Sequence, residues 1–301
     1  MIWEMNQCLS IGATQHIDLL KARLGRELHL AEGDYIRVNL REKPAGNITF
    51  LSCDFNGTLR GGRQSNDELL FRHFVADIIS DIILNHWEKA IVAEIVRENY
   101  YYFSDEEKKI ISQYSSSYIN GEKIIHGQMD RLDRKSFIIR RLVEFLRQND
   151  SIVIDGFIRF RLKEYINDLK EAVDQAVDDF LMEREYREFI QLLKYFVEIQ
   201  DPKVELVNVL VNAQGAYKLY DEKHNVISSE FLEGYILDVI DNEINYEDLL
   251  ISALITIAPN KIVFHGTSPN KPDNTLETIK HVFTGRVLEC SGCKLCQNQQ
   301  Q

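Results

Sequence analysis

The sequence predicts an α+β chain that is predominantly helical. It has a small α/β piece at the N-terminal end, a long helical middle, and a C-terminal α/β piece whose βαβ unit ends in a cysteine cluster. Three observations lead there. Short β-forming runs cluster before residue 63. From 64 to 200 apolar residues recur at helical spacing, and none of the five prolines falls in that stretch. After Pro202, strand-like and helix-like runs alternate. The expected segments are 1–63, 64–200 and 201–296, with a Gln-rich disordered tail at 297–301.

In the first segment, Thr14 is placed to cap a helix through "HIDLLKARLGREL", with Ile17, Leu20 and Leu24 at helical spacing. "DYIRVNL" (34–40) alternates apolar and polar residues as a half-buried strand does. "NITFLSCDF" (47–55) is rich in β formers, and "KPAG" supplies the turn between the two. "FNGTLRGGRQSN" (55–66) is glycine-rich with two arginines but lacks the Lys-Ser/Thr of a phosphate-cradling loop, so it reads as a basic surface turn.

In the middle, 67–100 reads as one long amphipathic helix or two abutting ones, with Leu70, Phe74, Ile78, Ile82, Trp87, Ile91 and Ile95 as its stripe. Ser104 followed three residues later by Glu107 is a capping box opening the next helix. A further helix covers "DRKSFIIRRLVEFLRQND" (133–150). The run 155–199 reads as one uninterrupted helix striped by Leu162, Tyr165, Leu169, Ala172, Ala176, Phe180 and Glu183.

At the C-terminal end, "KVELVNVLV" (203–211) and "AYKLYDE" (216–222) form a hairpin around "NAQG". Helices follow at 228–244 and 245–259. Then "NKIVFHG" (260–266), "NTLETIKHVF" (274–283) and "GRVLEC" (285–290) read strand, helix, strand, so the two strands run parallel.

Net charge is −12, a poor basis for sequence-independent nucleic-acid binding. The charge is uneven. Residues 131–163 hold nine Lys/Arg against four Asp/Glu, whereas 201–258 hold three Lys against eleven Asp/Glu. The opening residues lack a basic region followed by an apolar run, and no stretch of eighteen apolar residues occurs, so neither a secretory signal nor a membrane span is expected. Five cysteines do not make a disulfide framework, and the expected compartment is the cytoplasm.

Chemistry concentrates at "CSGCKLC" (290–296). Thiolates separated by two residues can face one ion from a tight turn, and Gly292 permits the bend. A closed tetrahedral site needs a fourth ligand. If 260–266 and 285–290 are adjacent parallel strands, their C-terminal ends lie side by side and His265 meets Cys290. The expected metal site is therefore Cys290, Cys293, Cys296 and His265, for zinc or an Fe–S cluster, with Cys8 or Cys53 as substitutes for His265. Free thiols and a dithiol redox pair are the competing readings. A second candidate is an anion site from Arg140, Arg141, Arg159 and Lys163, since Arg offers a bidentate fork. Its competitor is structural ion pairing, with Asp155 four residues before Arg159. The eight histidines are scattered, with no H-E-x-x-H and no G-x-S-x-G nucleophile elbow, so catalytic residues are not expected.

The stretches "SIVIDGFIRFRLKEY" (151–165) and "ETIKHVFTGRVLECSGCKLC" (277–296) resemble the YtxC-like family, proteins of endospore-forming bacteria labelled putative sporulation proteins. The resemblance implies a cytoplasmic, sporulation-associated protein and supplies no reaction or catalytic residues. The expected function is non-enzymatic binding of a protein partner. The alternatives are a metal-dependent enzyme or redox sensor at the cysteines, and nucleic-acid binding through 131–163.

Overall fold

The computed structural model describes residues 7–31, 36–57, 64–123, 127–211, 217–227, 246–265, 274–293 and 296. The expected helix at 228–244, the "NAQG" turn and the tail at 297–301 lie outside these residues. By the contacts among its residues the chain forms two compact units, Met1–Leu181 and Met182–Gln301.

The first unit carries a four-stranded sheet in the order β2-β3-β1-β4. Its strands are β1 (Gln7–Ala13), β2 (Ile36–Ala45), β3 (Ile48–Gly57) and β4 (Ser151–Val153). The β2–β3 hairpin turns on Gly46 and Asn47, between the paired Ala45 and Ile48. Gly46 has φ +64°, which glycine adopts without strain. Strand β1 was not expected, yet it is central. It runs antiparallel to β3 and parallel to β4, which lies some 140 residues away in sequence. Gly12 in β1 sits opposite Phe50, and a Cβ there would stand 2.7 Å from the Phe50 ring. The aromatic covers the glycine, so no other residue fits without displacing it.

Helices of this unit are α1 (Ile17–Ala31), α2 (Gln64–Ile82), α3 (Glu88–Asn99), α4 (Asp105–Ile119), α5 (Arg131–Leu146), α6 (Ile154–Arg161) and the start of α7 (Lys163–Ile199). Thr14 does not act as expected. Its backbone N–H and hydroxyl both donate to the Asp155 carboxylate, at 2.9 and 2.7 Å. The capping box of α4 forms as read, with Glu107 N–H donating to Ser104 Oγ and Ser104 N–H to Glu107 Oε2.

Between α2 and α3 the helix does not stop. Residues Ile83–Trp87 form a π-turn in which Glu88 N–H reaches back five residues to the Ile83 carbonyl. The extra residue shifts the phase of the stripe from α2 to α3. Leu70, expected inside, is 58% exposed, while Phe71, Val75, Ile78, Ile79, Ile82, Ile83 and Trp87 are buried. The run expected as one helix from 155 breaks at Leu162, where φ −108° and ψ 38° leave the helical region. The break separates α6 from α7 and lets Leu162 be fully buried beside Tyr165, Leu169, Ala172, Ala176 and Phe180. Glu183, the last residue of the expected stripe, is exposed. One core joins Ile11 and Leu51 of the sheet to these helices.

The second unit holds a sheet of order β6-β5-β7-β8: β5 (Leu206–Val211), β6 (Tyr217–Tyr220), β7 (Lys261–His265) and β8 (Val287–Glu289). The β5–β6 pair is antiparallel, as the hairpin reading expects, and β7 runs parallel to both β5 and β8. Helices α8 (Tyr246–Ile257) and α9 (Asn274–Val282) precede β7 and β8. Val207, Val209, Ile262 and Phe264 point to one side of the sheet. They pack with Leu254 and Ile257 of α8 and Ile279 and Val282 of α9. Alternation along the strands therefore sends Asn208 and His265 to the opposite side.

Candidate metal centre

The parallel β7–β8 register places Phe264 opposite Glu289, so His265 and Cys290 both leave the sheet at its C-terminal edge. Cys290 N–H donates to the Phe264 carbonyl at 2.8 Å, which extends the pairing and fixes the first cysteine. Gly292 then turns the chain with φ +123°, a conformation side chains rarely tolerate. Its N–H points at Cys290 sulfur.

The side chains of His265, Cys290, Cys293 and Cys296 converge, with their four ligand atoms all within 4.8 Å of one another. His265 Nδ1 stands 3.4 Å from Cys293 Sγ and 3.6 Å from Cys296 Sγ. Cys296 Sγ is 3.7 Å from Cys293 Sγ and 3.9 Å from Cys290 Sγ. His265 is 4% exposed, and the three cysteines are half-buried. Cys53 lies instead in the first unit's core on β3. The side chain of Cys8 is outside the described residues.

A polar chain behind His265 decides which ring nitrogen faces the sulfurs. Asn208 Nδ2 donates to the Asp221 carbonyl at 3.1 Å, and a carbonyl can only accept. Asn208 Oδ1 must therefore face His265 Nε2, at 3.0 Å, which makes Nε2 the protonated nitrogen. Nδ1 is left with its lone pair toward the three sulfurs. This is the outer-shell arrangement by which proteins orient a ligating imidazole. Asp221 is itself tied by Lys223 N–H, Asn225 N–H and the Asn225 side chain, which holds the β6 end of the chain in place.

Burial, with a smaller contribution from His224, pushes the His265 imidazole below its ordinary pKa and favours the neutral ligand form. At Cys290 the Gly292 N–H favours the thiolate. Burial and the neighbouring thiols of Cys293 and Cys296 outweigh it and leave the pKa raised.

Asn208 escaped the sequence reading, although a single polar residue inside "LVNVLV" is the kind of interruption that marks it. Arg134 escaped too. It occupies the apolar stripe of α5 with Ile138 and Leu142 and is completely buried. Its guanidinium donates to the Met129 and Ile119 carbonyls and pairs with Glu88, whose Oε2 also accepts from Tyr165 Oη at 2.9 Å. Burial raises the Glu88 pKa against the pull of Arg134. Glu88 opens on a cleft of about 420 Å³ that includes Asn85, Gln113 and Arg131.

The four candidate anion ligands divide. Arg159 and Lys163 line a cleft of about 710 Å³ together with Glu94, Glu98, Asp155 and Lys170, and Arg140 and Arg141 are not in its lining. Arg141 pairs with Glu164 at 2.8 Å and lies over the Phe137 ring, as Arg140 does. Asp155, expected beside Arg159, is occupied by Thr14. Within the basic stretch 131–163, Lys135 bridges Asp77 and Asp81, and Arg131 donates to Asn85. Among the described residues, no helix is long and apolar enough to cross a membrane.

The profile of the YtxC-like family matches residues 73–288. That span contains His265 and Asn208 and stops two residues before Cys290. A relative, "Uncharacterized protein YtxC" of Bacillus subtilis (strain 168), is 26% identical over 236 residues, covering 75% of this chain and 80% of its own length. No solved structure matches the chain.

Proposed function

The chain belongs to the YtxC-like family, and we propose that it is a non-enzymatic binding protein whose C-terminal unit is stapled by one zinc ion on His265, Cys290, Cys293 and Cys296. In this reading it works in the cytoplasm, in association with sporulation, through a protein partner. What supports a single ion is the spacing of the donors. Zn–S bonds of about 2.3 Å and Zn–N bonds of about 2.0–2.1 Å in a tetrahedron put sulfurs about 3.8 Å apart and nitrogen about 3.6 Å from sulfur. Four of the six edges of the donor set are 3.7 and 3.9 Å between sulfurs and 3.4 and 3.6 Å from nitrogen to sulfur, and all six lie within 4.8 Å. Cysteines that bind separate irons of a cluster stand farther apart than this.

Four protein donors close the coordination sphere. A catalytic zinc keeps a position open for water or substrate, whereas a structural one does not. The ion would tie the ends of β7 and β8 to Cys293 and Cys296, at the edge of a sheet whose outer strand β8 has only three residues.

The test is elemental analysis of the purified protein beside Cys293→Ser, with cobalt(II) substitution to report the ligand field. The expected result is one zinc per chain in the wild type, its loss in the variant, and a tetrahedral thiolate spectrum with cobalt. A brown protein with the broad visible absorption of an iron–sulfur cluster, or a wild type that binds no metal, would overturn the zinc reading.

A further inference from the structure

The part of α7 inside the second unit is apolar on two adjacent faces, and among the described residues only one of them is covered. Ile190, Leu193 and Val197 pack on the C-terminal core. Beside them Met182, Tyr186, Phe189, Leu192, Tyr195, Phe196 and Ile199 are 42–69% exposed. Seven large apolar side chains thus line five turns of one helix. Tyr186 is held in place by a 3.0 Å hydrogen bond to Thr278 on α9.

The spacing within this face is that of a coiled-coil seam. Met182, Phe189 and Phe196 are seven residues apart, and so are Glu185, Leu192 and Ile199. At about 200 Å² per fully exposed large side chain, the seven leave on the order of 700 Å² of apolar surface in water. The largest apolar patch of a monomer is about 300–600 Å². Two such faces together would bury about 1,400 Å², within the standard size of a stable interface.

We infer that this face of α7 is a homodimer interface in which two copies of the chain pair antiparallel. The seam is self-complementary, as a two-fold contact requires. Orientation follows from Glu185. Parallel pairing would stack Glu185 on the partner's Glu185 in one layer, like charge on like. Antiparallel pairing sets it against the partner's Phe196, Phe189 against the partner's Leu192, and Met182 against the partner's Ile199. The pairing is independent of the metal centre.

Sedimentation equilibrium of the full-length protein, up to about 100 µM, tests it, since interfaces of this size associate at micromolar or lower concentration. The wild type is expected to be a dimer. Phe189→Glu with Leu192→Glu should weaken association by at least about 30-fold. Both sites are exposed, so at a protein concentration low enough to dissociate the wild type the circular dichroism melts of variant and wild type should coincide. A monomeric wild type, or a variant that dimerises as tightly as the wild type, overturns the proposal. A monomeric wild type whose variant also melts earlier would mean that another part of the chain covers the face. For orientation, Met182→Glu and Ile199→Lys should each weaken the dimer alone and recover affinity when combined, because the two replacements face each other across an antiparallel seam. A combined variant weaker than either single one overturns the antiparallel arrangement.

Discussion

Replacing Asn208 separates an oriented imidazole from one that is merely nearby. Asn208 is 6% exposed and makes two hydrogen bonds, accepting from His265 Nε2 at 3.0 Å and donating to the Asp221 carbonyl at 3.1 Å. Asn208→Leu removes the acceptor for Nε2–H. The ring then loses the partner that holds Nδ1 toward the three sulfurs, and the buried N–H is left unpaired. Loss of such an outer-shell partner costs about 10–100-fold in metal affinity. At about 1.4 kcal/mol per decade, that is roughly 1.4–2.8 kcal/mol. Asn208→Asp keeps an acceptor for Nε2–H but turns a carboxylate oxygen toward the Asp221 carbonyl, so it should lose less affinity than the leucine. The assay is zinc competition against a chromogenic chelator, with the cobalt spectrum as a check on geometry. Equal affinity for wild type and Asn208→Leu would refute the reasoning. So would an Asn208→Asp variant that loses as much as the leucine, since that would make Asn208 a packing residue rather than an acceptor.

Arg134→Met should be severe, because it leaves the buried Glu88 carboxylate without its guanidinium and the Met129 and Ile119 carbonyls without their donor. Removing one partner of a buried pair costs about 3–5 kcal/mol, which lowers the melting temperature by roughly 10 °C for a unit of this size. Adding Glu88→Gln should recover part of the loss, and calorimetry of the two variants decides it. At Asp81, burial lifts the carboxyl pKa, but bonds from Lys135 and Arg23 outweigh it and hold the group below its ordinary 3.8. The unfolded chain therefore binds the proton first. The associated stability is present above about pH 4 and is lost as pH falls through the lower folded value. Asp81→Asn should flatten that acid limb in urea titrations between about pH 5 and pH 2, and an unchanged slope would exclude the ion pairs as its source.

What could be read in advance were features written in neighbouring residues. The capping box of Ser104 and Glu107 needs four residues. The βαβ unit at 260–290 needs one handed connection, and from it the meeting of His265 with the cysteines follows by geometry alone. What could not be read depends on distant partners or on a change of phase. Strand β1 becomes central because β3 and β4 pair with it on either side, and three-residue β4 has no signal of its own. The π-turn at Ile83–Trp87 and the break at Leu162 contain neither proline nor glycine. Packing selects them by turning Trp87 and Leu162 inward.

Sequence alone determined that the chain is mostly helical with α/β ends, and that two parallel strands in its C-terminal unit end side by side at His265 and Cys290, because periodicity and strand direction are local properties. Only the tertiary structure decided the rest. It put Asn208 behind His265 with a carbonyl that fixes its amide, turned Arg134 into a fully buried partner of Glu88, and left one side of α7 bare while covering the side beside it. Each of these is a relation between side chains brought together by the folded backbone, and a periodic pattern cannot specify which of two equally apolar faces the core will take.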